Sequence, residues 1–451
     1  MTRGLLANAV MLAALSGVAM AQGQQAQPPA APPVRELTAD ECVRLGLAHN
    51  ALKRAAAADA QAAAAVARQA RAGRLPTVRS QASYNRLSGN IPDVTFALPG
   101  SDTVTTLQHV PLDRYQVEVT AEQTLFAGSR IRNEIRAAAH EASAAQQRAS
   151  QEEADVAFDV RRTYWELHRA IAARDALASA MERVNAHLAD VKSRLREGAA
   201  LQRDLLQAQT RHSEVRLERL AADNAVSVAR LQLDRLLGLP LDVAVRPVTQ
   251  VEIEESDAPQ KDLTQVALAG RPDLAALDEE VRAIRARVSA TRGERWPQIG
   301  LVGRYVEAEP NPYFFVEQDR FHWNWELGLQ ATWNVWDGGR RRARETELAS
   351  RLDAAEARLA DAKTQVAVEV KTRQLEMSHA REAVAVAAEN VAQAQETFRV
   401  ARRQFQEGAA LSADVLDAED AWRRAEAQQA QAQADYATAK AAMLGALGQV
   451  W

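Results

Sequence analysis

The chain carries one sequence pattern twice, and a chain built that way folds as two copies of a single unit. A shift of 210 residues, without a gap, lays Glu197-Gly198-Ala199-Ala200-Leu201 on Glu407-Gly408-Ala409-Ala410-Leu411. The same shift sets Asp204 on Asp414, Leu206 on Leu416 and Ala208 on Ala418. It also sets Phe126, Gly128 and Arg130 on Trp336, Gly338 and Arg340, and Leu237-Gly238 on Leu447-Gly448. Upstream, Leu75-Pro76 falls against Trp296-Pro297. One register held from Phe126 to Gly238 is an internal duplication.

Each copy changes its hydrophobic period along its length. In the first, Tyr115, Val117, Val119, Ala121 and Leu125 alternate with Gln116, Glu118, Thr120, Glu122 and Thr124, the period of a strand. Val78, Ala82 and Tyr84 form a weaker partner, and residues 85–114, with Pro92, Pro99, Gly89 and Gly100, read as a long loop. In the second, Trp325, Leu327, Leu329, Ala331, Trp333 and Val335 alternate with polar or small residues, opposite residues 298–305. Five of the eight tryptophans lie between Trp296 and Trp336. Strands with one apolar face, one polar face and aromatic ends suit a membrane barrel; a half-buried soluble sheet is the competing reading.

After each strand pair comes an uninterrupted helical run rich in Ala, Gln, Glu and Arg. Residues 130–197 and 340–407 would each reach about 100 Å at 1.5 Å per residue. The return runs, 201–237 and 411–447, reach about 55 Å, and 36–74 and 263–295 about 50 Å. One long helix therefore matches two short ones stacked end to end. The expected division is a signal peptide (1–21), a Pro/Gln-rich linker (22–35), a helix (36–74), a first membrane β-hairpin (75–126) and a first helical hairpin (127–237). An equatorial linker (238–262), a helix (263–296), a second membrane β-hairpin (297–336) and a second helical hairpin (337–448) complete it.

The N-terminus reads as a secretory leader: Arg3, the apolar run from Leu5 to Ala19, and Ala19-Met20-Ala21 as a cleavage site. Beyond it no apolar stretch is long enough for a membrane helix, so entry into a membrane must use strands. Four strands cannot close a barrel, which needs about eight; the chain must then oligomerise. The single cysteine, Cys42, excludes an intrachain disulfide. It sits at the fourth position of a helix whose Thr38-Ala39-Asp40-Glu41 start is a capping box, and reads as a small apolar contact. A net charge of −4 argues against nucleic acid as a partner. The eight histidines are scattered without metal-binding or nucleotide-binding spacing, so neither enzyme, cofactor nor metal site is expected.

These residues resemble the outer membrane efflux protein family, the TolC-like channels. The resemblance rests on Leu37-Thr38-x-x-Glu41-x-Val43-x-Leu45-Gly46-Leu47-x-x-Asn50, Arg271-Pro272-Asp273-Leu274, Pro297-Gln298-Ile299, Trp336-Asp337-Gly338-Gly339-Arg340 and the run from Glu407 to Glu419. It covers nearly the whole chain after the leader. It implies a mainly α fold with a small transmembrane β part: antiparallel helical hairpins forming an α-barrel, and four strands per chain contributed to a twelve-stranded barrel in a homotrimer. It also implies a place in the outer membrane of a Gram-negative bacterium, in contact with outer-membrane lipid, with the helices in the periplasm. A periplasmic adaptor protein and an inner-membrane transporter would dock at the tips. Drug or small-molecule efflux is the leading cargo reading, with type I protein secretion or metal efflux as alternatives. A soluble periplasmic coiled-coil adaptor is a reading of a different class.

Candidate site residues follow. Gly198, Ala199, Leu201 and Asp204, with Gly408, Ala409, Leu411 and Ser412, form the two helical tips, Ser412 as N-cap of the last helix. Asp204 and Asp414 sit in first helical turns, where a carboxylate favours the dipole. Asp417 lies beyond the first turn, on the same face as Asp414 by i, i+3 spacing. In the family that aspartate pair lines the periplasmic entrance, which makes Asp414 and Asp417 the expected gate. Family members with a bonded gate have Tyr and Arg where this chain has Phe405 and Ala410, so those bonds cannot form here. Glu118, Glu122 and Glu326 would face the barrel lumen, either as a cation-preferring lining or simply as a solvated wall.

Overall fold

A computed structural model describes residues 34–449, apart from 98–99, 101–103, 109, 242–243, 250, 252, 254–261 and 315–319. The leader, and all but the last two residues of the 22–35 linker, lie outside the described residues. In each copy a long helix is flanked by shorter ones. α3 (Arg130–Arg196) and α7 (Arg340–Gln406) are each 67 residues long, followed by the return helices α4 (Gln202–Leu237) and α8 (Ser412–Ala446). Against the other half of each long helix stand α1 (Ala39–His49) and α2 (Ala51–Ala72), or α5 (Leu263–Gly270) and α6 (Pro272–Gly293). The four strands β2 (Thr77–Arg86), β5 (Asp113–Phe126), β7 (Gln298–Glu309) and β8 (His322–Thr332) form one antiparallel sheet in the order β2-β5-β7-β8.

Three segments differ from expectation. The run 36–74 is not one helix: it starts with strand β1 (Val34–Leu37) and breaks at Asn50. β1 pairs in parallel with β6 (Ala244–Pro247) inside the 238–262 linker, a long-range pairing no local pattern announces. The run 263–296 likewise splits at Arg271-Pro272, where proline at N1 restarts the helix. The loop 85–114 contains a small hairpin of β3 (Val94–Ala97) and β4 (Val104–Gln108).

The two breaks do the same work. Asn50 caps α2 by accepting the Leu52 amide at 2.8 Å, while its Nδ2 donates to the Leu236 carbonyl at 3.2 Å, near the end of α4. Arg271, at the equivalent break, donates to the Ala446 carbonyl at 3.4 Å, near the end of α8, and pairs with Asp273 and Glu369 at 2.8 and 2.5 Å. Positions 236 and 446 correspond in the duplication. Each short-helix junction therefore ties up an orphan carbonyl of its return helix.

The waist is held by a core of Cys42, Val43, Val160, Tyr164, Leu233 and Leu237. Thr38 and Glu41 form the full capping box, at 3.3 Å and 2.8 Å. Burial pushes the Cys42 thiol up to about 12, leaving it an inert apolar contact. The Tyr164 hydroxyl accepts the amides of Val248 and Thr249, both at 3.0 Å, and donates to the Leu37 carbonyl at 3.1 Å. One phenol on the long helix thereby fixes the β1–β6 layer.

In the half with the strands the helices lie in the order α2-α3-α6-α7; in the other half the order is α4-α3-α8-α7. Both layers are open, with α7 at one edge and α2 or α4 at the other. Those edges carry exposed apolar side chains: Leu375, 73% exposed, and Val368 and Val386 on α7, and Leu217 and Leu220 on α4. The sheet is open in the same way, with β2 and β8 at its edges.

Where strand meets helix the backbones of the two copies touch. Gly128, at φ +56°, and Gly293 are so close that a Cβ on either would fall on the other's carbonyl oxygen, at 2.2 and 2.4 Å. Gly293→Ala should therefore cost about 1–3 kcal/mol or more through overpacking. We expect a lower thermal midpoint for the detergent-solubilised protein. Gly445→Ala, where a methyl meets nothing within 4 Å, should leave the midpoint unchanged or slightly raised. Equal midpoints for both variants would refute the close-approach reading.

Candidate functional site

Side-chain alternation gives the sheet two different faces. Register places Ala82, Val117, Tyr305 and Trp325 on one face, with Val78, Val119, Leu327 and Leu329. Most are exposed, Trp325 at 66%. Aromatics gather at both ends: Tyr84 against Tyr115 and Tyr305 against Trp323 at one, Trp296, Trp333 and Trp336 beyond the other. An exposed apolar band between aromatic ends is the arrangement a lipid-facing barrel wall requires, and a soluble sheet would cover it.

The opposite face carries Arg79, Gln81, Glu118, Thr120, Glu122, Arg304 and Glu326. Two of the three expected lumen acids are not free charges. Arg304, on the strand between them, reaches Glu118 at 3.1 Å and Glu326 at 3.2 Å. Only Glu122, among the described residues, lacks a side-chain partner. The three acids share the polar face with Arg79 and Arg304, which offset most of their charge.

At the far end of the helices the two tips come together over a shared cluster of Val191, Phe398, Phe405, Val415 and Ala418. Both turns are built alike. Gly198 (φ +74°) and Gly408 (φ +78°) adopt the left-handed conformation after the long helices. Ala199 N–H donates to Arg194 O at 2.7 Å and Ala409 N–H to Gln404 O at 2.8 Å, closing the ends of both helices. The return helices begin at Leu201 and Leu411, whose backbone N–H groups donate to Asp204 at 3.0 Å and Asp414 at 2.8 Å. Both aspartates are thus structural caps as well as charges.

Asp417 is different. It is exposed on the stripe of α8 that also bears Leu411, Asp414 and Arg424, and it has no side-chain partner among the described residues. Ser412 is not the N-cap of α8; Leu411 holds that position. Ser412 is 2% exposed and bonds to His187 Nε2 at 2.8 Å, so it presents no surface at the tip.

The residues that join the two hairpins were not singled out by the sequence. His187 packs on the Phe405 ring at 5.1 Å, and the Arg194 guanidinium lies over the same ring at 4.7 Å while donating to the Gln406 carbonyl at 2.5 Å. Further up, Glu419 is 2% exposed and sits between Arg183 and Arg211, each at 3.4 Å. Arg211 also holds Asp420 at 2.6 Å, and Arg183 covers Trp422 at 3.9 Å. Burial pushes the Glu419 carboxyl up, against the pull of both arginines. Deleting one partner of such a buried set leaves an uncompensated charge and costs about 3–5 kcal/mol. Phe405 lacks a phenol, but its ring is the platform on which the α3 side chains rest.

Comparison with known proteins decides what this architecture is. The description "Outer membrane efflux protein" matches residues 44–239 and 263–449, both copies. The chain belongs to the outer membrane efflux protein family. Its fold is that of solved members: the CusC channel (TM-score 0.77, 19% identity, 91% of this chain and 92% of that one) and CmeC of Campylobacter jejuni (0.77, 18%, 91% and 85%). VceC of Vibrio cholerae is similar (0.75, 19%, 91% and 96%). A curated relative, the alkaline protease secretion protein AprF of Pseudomonas aeruginosa, is 25% identical over 255 residues. That match spans 54% of this chain and only half of AprF. Members of this efflux family are channels rather than enzymes. No helix among the described residues is long and apolar enough to cross a membrane, and no group of His, Cys, Asp and Glu among them is arranged to hold a metal.

Burial holds the His187 pKa below its ordinary value, Asp190 opposing and Arg402 reinforcing. The folded tip then binds a proton less readily than the unfolded chain. Its stability from neutral His187 is complete above the ordinary histidine range and falls as pH drops through that range. Amide hydrogen exchange at residues 194–199 and 405–411, corrected for intrinsic rates, should therefore quicken from pH 7.5 to pH 5. His187→Gln, which keeps a partner for Ser412 but does not titrate, should remove most of that change. An identical pH response in the variant would exclude His187 as its source.

Proposed function

We propose that three copies of this chain close into an outer-membrane exit duct, fed by an inner-membrane transporter and opened at its helical tip by a periplasmic adaptor. The carrying observation is the pair of open edges. Sheet and helical layer both end in unpaired elements with exposed apolar side chains, and head-to-tail copies cover both at once. Drug or small-molecule efflux is the cargo we favour. The match to AprF supports a second reading, export of a protein.

In this duct Asp414 and Asp417 face the entrance, six carboxylates in three copies, and attract cations. Because Asp414 is committed to the Leu411 amide while Asp417 is unpartnered, Asp417 carries more of that attraction. The remaining tip residues, Gly198, Ala199, Leu201, Asp204, Gly408, Ala409 and Leu411, form the surface an adaptor meets.

The cargo question is decided by deleting the gene and measuring drug susceptibility beside the secreted proteome. We expect a clear rise in susceptibility with an unchanged secretome; the reverse result would select protein export. For the gate, Asp417→Asn should weaken block of single-channel current by a trivalent cation more than Asp414→Asn, and the double variant most. Block that is the same in all four proteins would remove these aspartates from the gate.

A further inference from the structure

The two long helices open on basic residues. An N-terminus favours carboxylates, as the return helices show with Asp204 and Asp414, yet neither long helix has an acid in its first turn. They begin instead with Arg130 and Arg132, and with Arg340-Arg341-Arg342 followed by Arg344. Helical i, i+4 pairing with Glu134 and Asp337 accounts for Arg130 and Arg341, but Arg340 has no such pair among the described residues.

Arg130, Arg340, Arg341 and Arg344 line a cavity of about 480 Å³ at the junction of strands and helices, together with the acids Glu294 and Asp337 and with Gln298 and Thr332. Those last two are paired in the β7–β8 register. By alternation they continue the polar face of Arg304 and Glu326, so the cavity opens on the water-facing side. Arg342 does not line this cavity; it lines an adjoining hollow with Trp333 and Val335, which meets the first at Asp337 and Arg341.

Most of the cavity's charge is answered. Arg130 pairs with Glu134 at 3.0 Å, Arg341 with Asp337 at 3.0 Å, and Arg344 with Glu294 at 3.7 Å. Asp337 is also taken up by the Gly339 and Arg341 amides, at 3.1 Å each. Arg340 is exposed and has no side-chain partner among the described residues. An unpaired guanidinium beside other arginines, in a water-facing hollow, is a fork for a carboxylate or phosphate.

We propose that this cavity is an anion-binding collar at the mouth of the barrel, centred on Arg340 and taking carboxylate- or phosphate-bearing solutes. The proposal rests on the channel reading, which places three such cavities around one tunnel. The duct then carries opposite charge at the two ends of its helical part: acids at the tip, free guanidinium where the helices meet the strands.

The test is single-channel recording in a planar bilayer, with inorganic tripolyphosphate added on the barrel side. Wild type should be blocked, and Arg340→Gln should need about fivefold more polyphosphate for half-block. Arg340→Lys, which keeps the charge, should fall between them, and Arg342→Gln should match wild type. A conducting wild type without block, equal block in Arg340→Gln, or an equal loss in Arg342→Gln overturns the collar. A wild type that forms no channel overturns the channel reading beneath it.

Discussion

Backbone N–H and C=O groups in hydrocarbon have no water to bond, so a strand can stay in a membrane only if both its edges are paired. Among the described residues this chain offers four strands in one sheet, with β2 and β8 unpaired at the ends. The rest of the structure is arranged around that shortfall. The apolar face of the sheet is left bare, the helical layers are left open, and α7 and α4 keep large apolar side chains at their edges. What is a liability in a monomer becomes a joint in a ring.

Duplication makes such a ring regular. Each copy supplies two strands, a long helix and a helix pair broken at its waist, and Asn50 and Arg271 perform one task with different chemistry. The two copies meet without side chains at Gly128 and Gly293. They meet again at the tip through His187, Arg194 and the Phe405 ring. Their asymmetry lies in charge: the unpartnered Asp417 aligns with Gln207, and the basic run from Arg340 to Arg344 belongs to the second copy.

What was legible in the sequence was whatever repeats locally. Period-two alternation located β5 and β8, glycine marked both tips, and the Thr38–Glu41 box marked a helix start. What was not legible depends on partners far along the chain. The break at Asn50 is hidden in an alanine-rich run with no proline, since its reason is the carbonyl of Leu236. β1 looked like the end of a linker and the start of a helix because its partner strand is β6. Glu118 and Glu326 looked like free lumen charges until the register placed Arg304 between them. Ser412 looked like a cap because serine usually is one, and the structure gives it to His187.

The central claim is that neither sheet nor helical layer closes within one chain and that three copies close both. Native mass spectrometry of the gently solubilised protein tests it most directly. A single species of three chains, insensitive to dilution, is the predicted result. A monomer, or a ladder of open-ended assemblies, would contradict it.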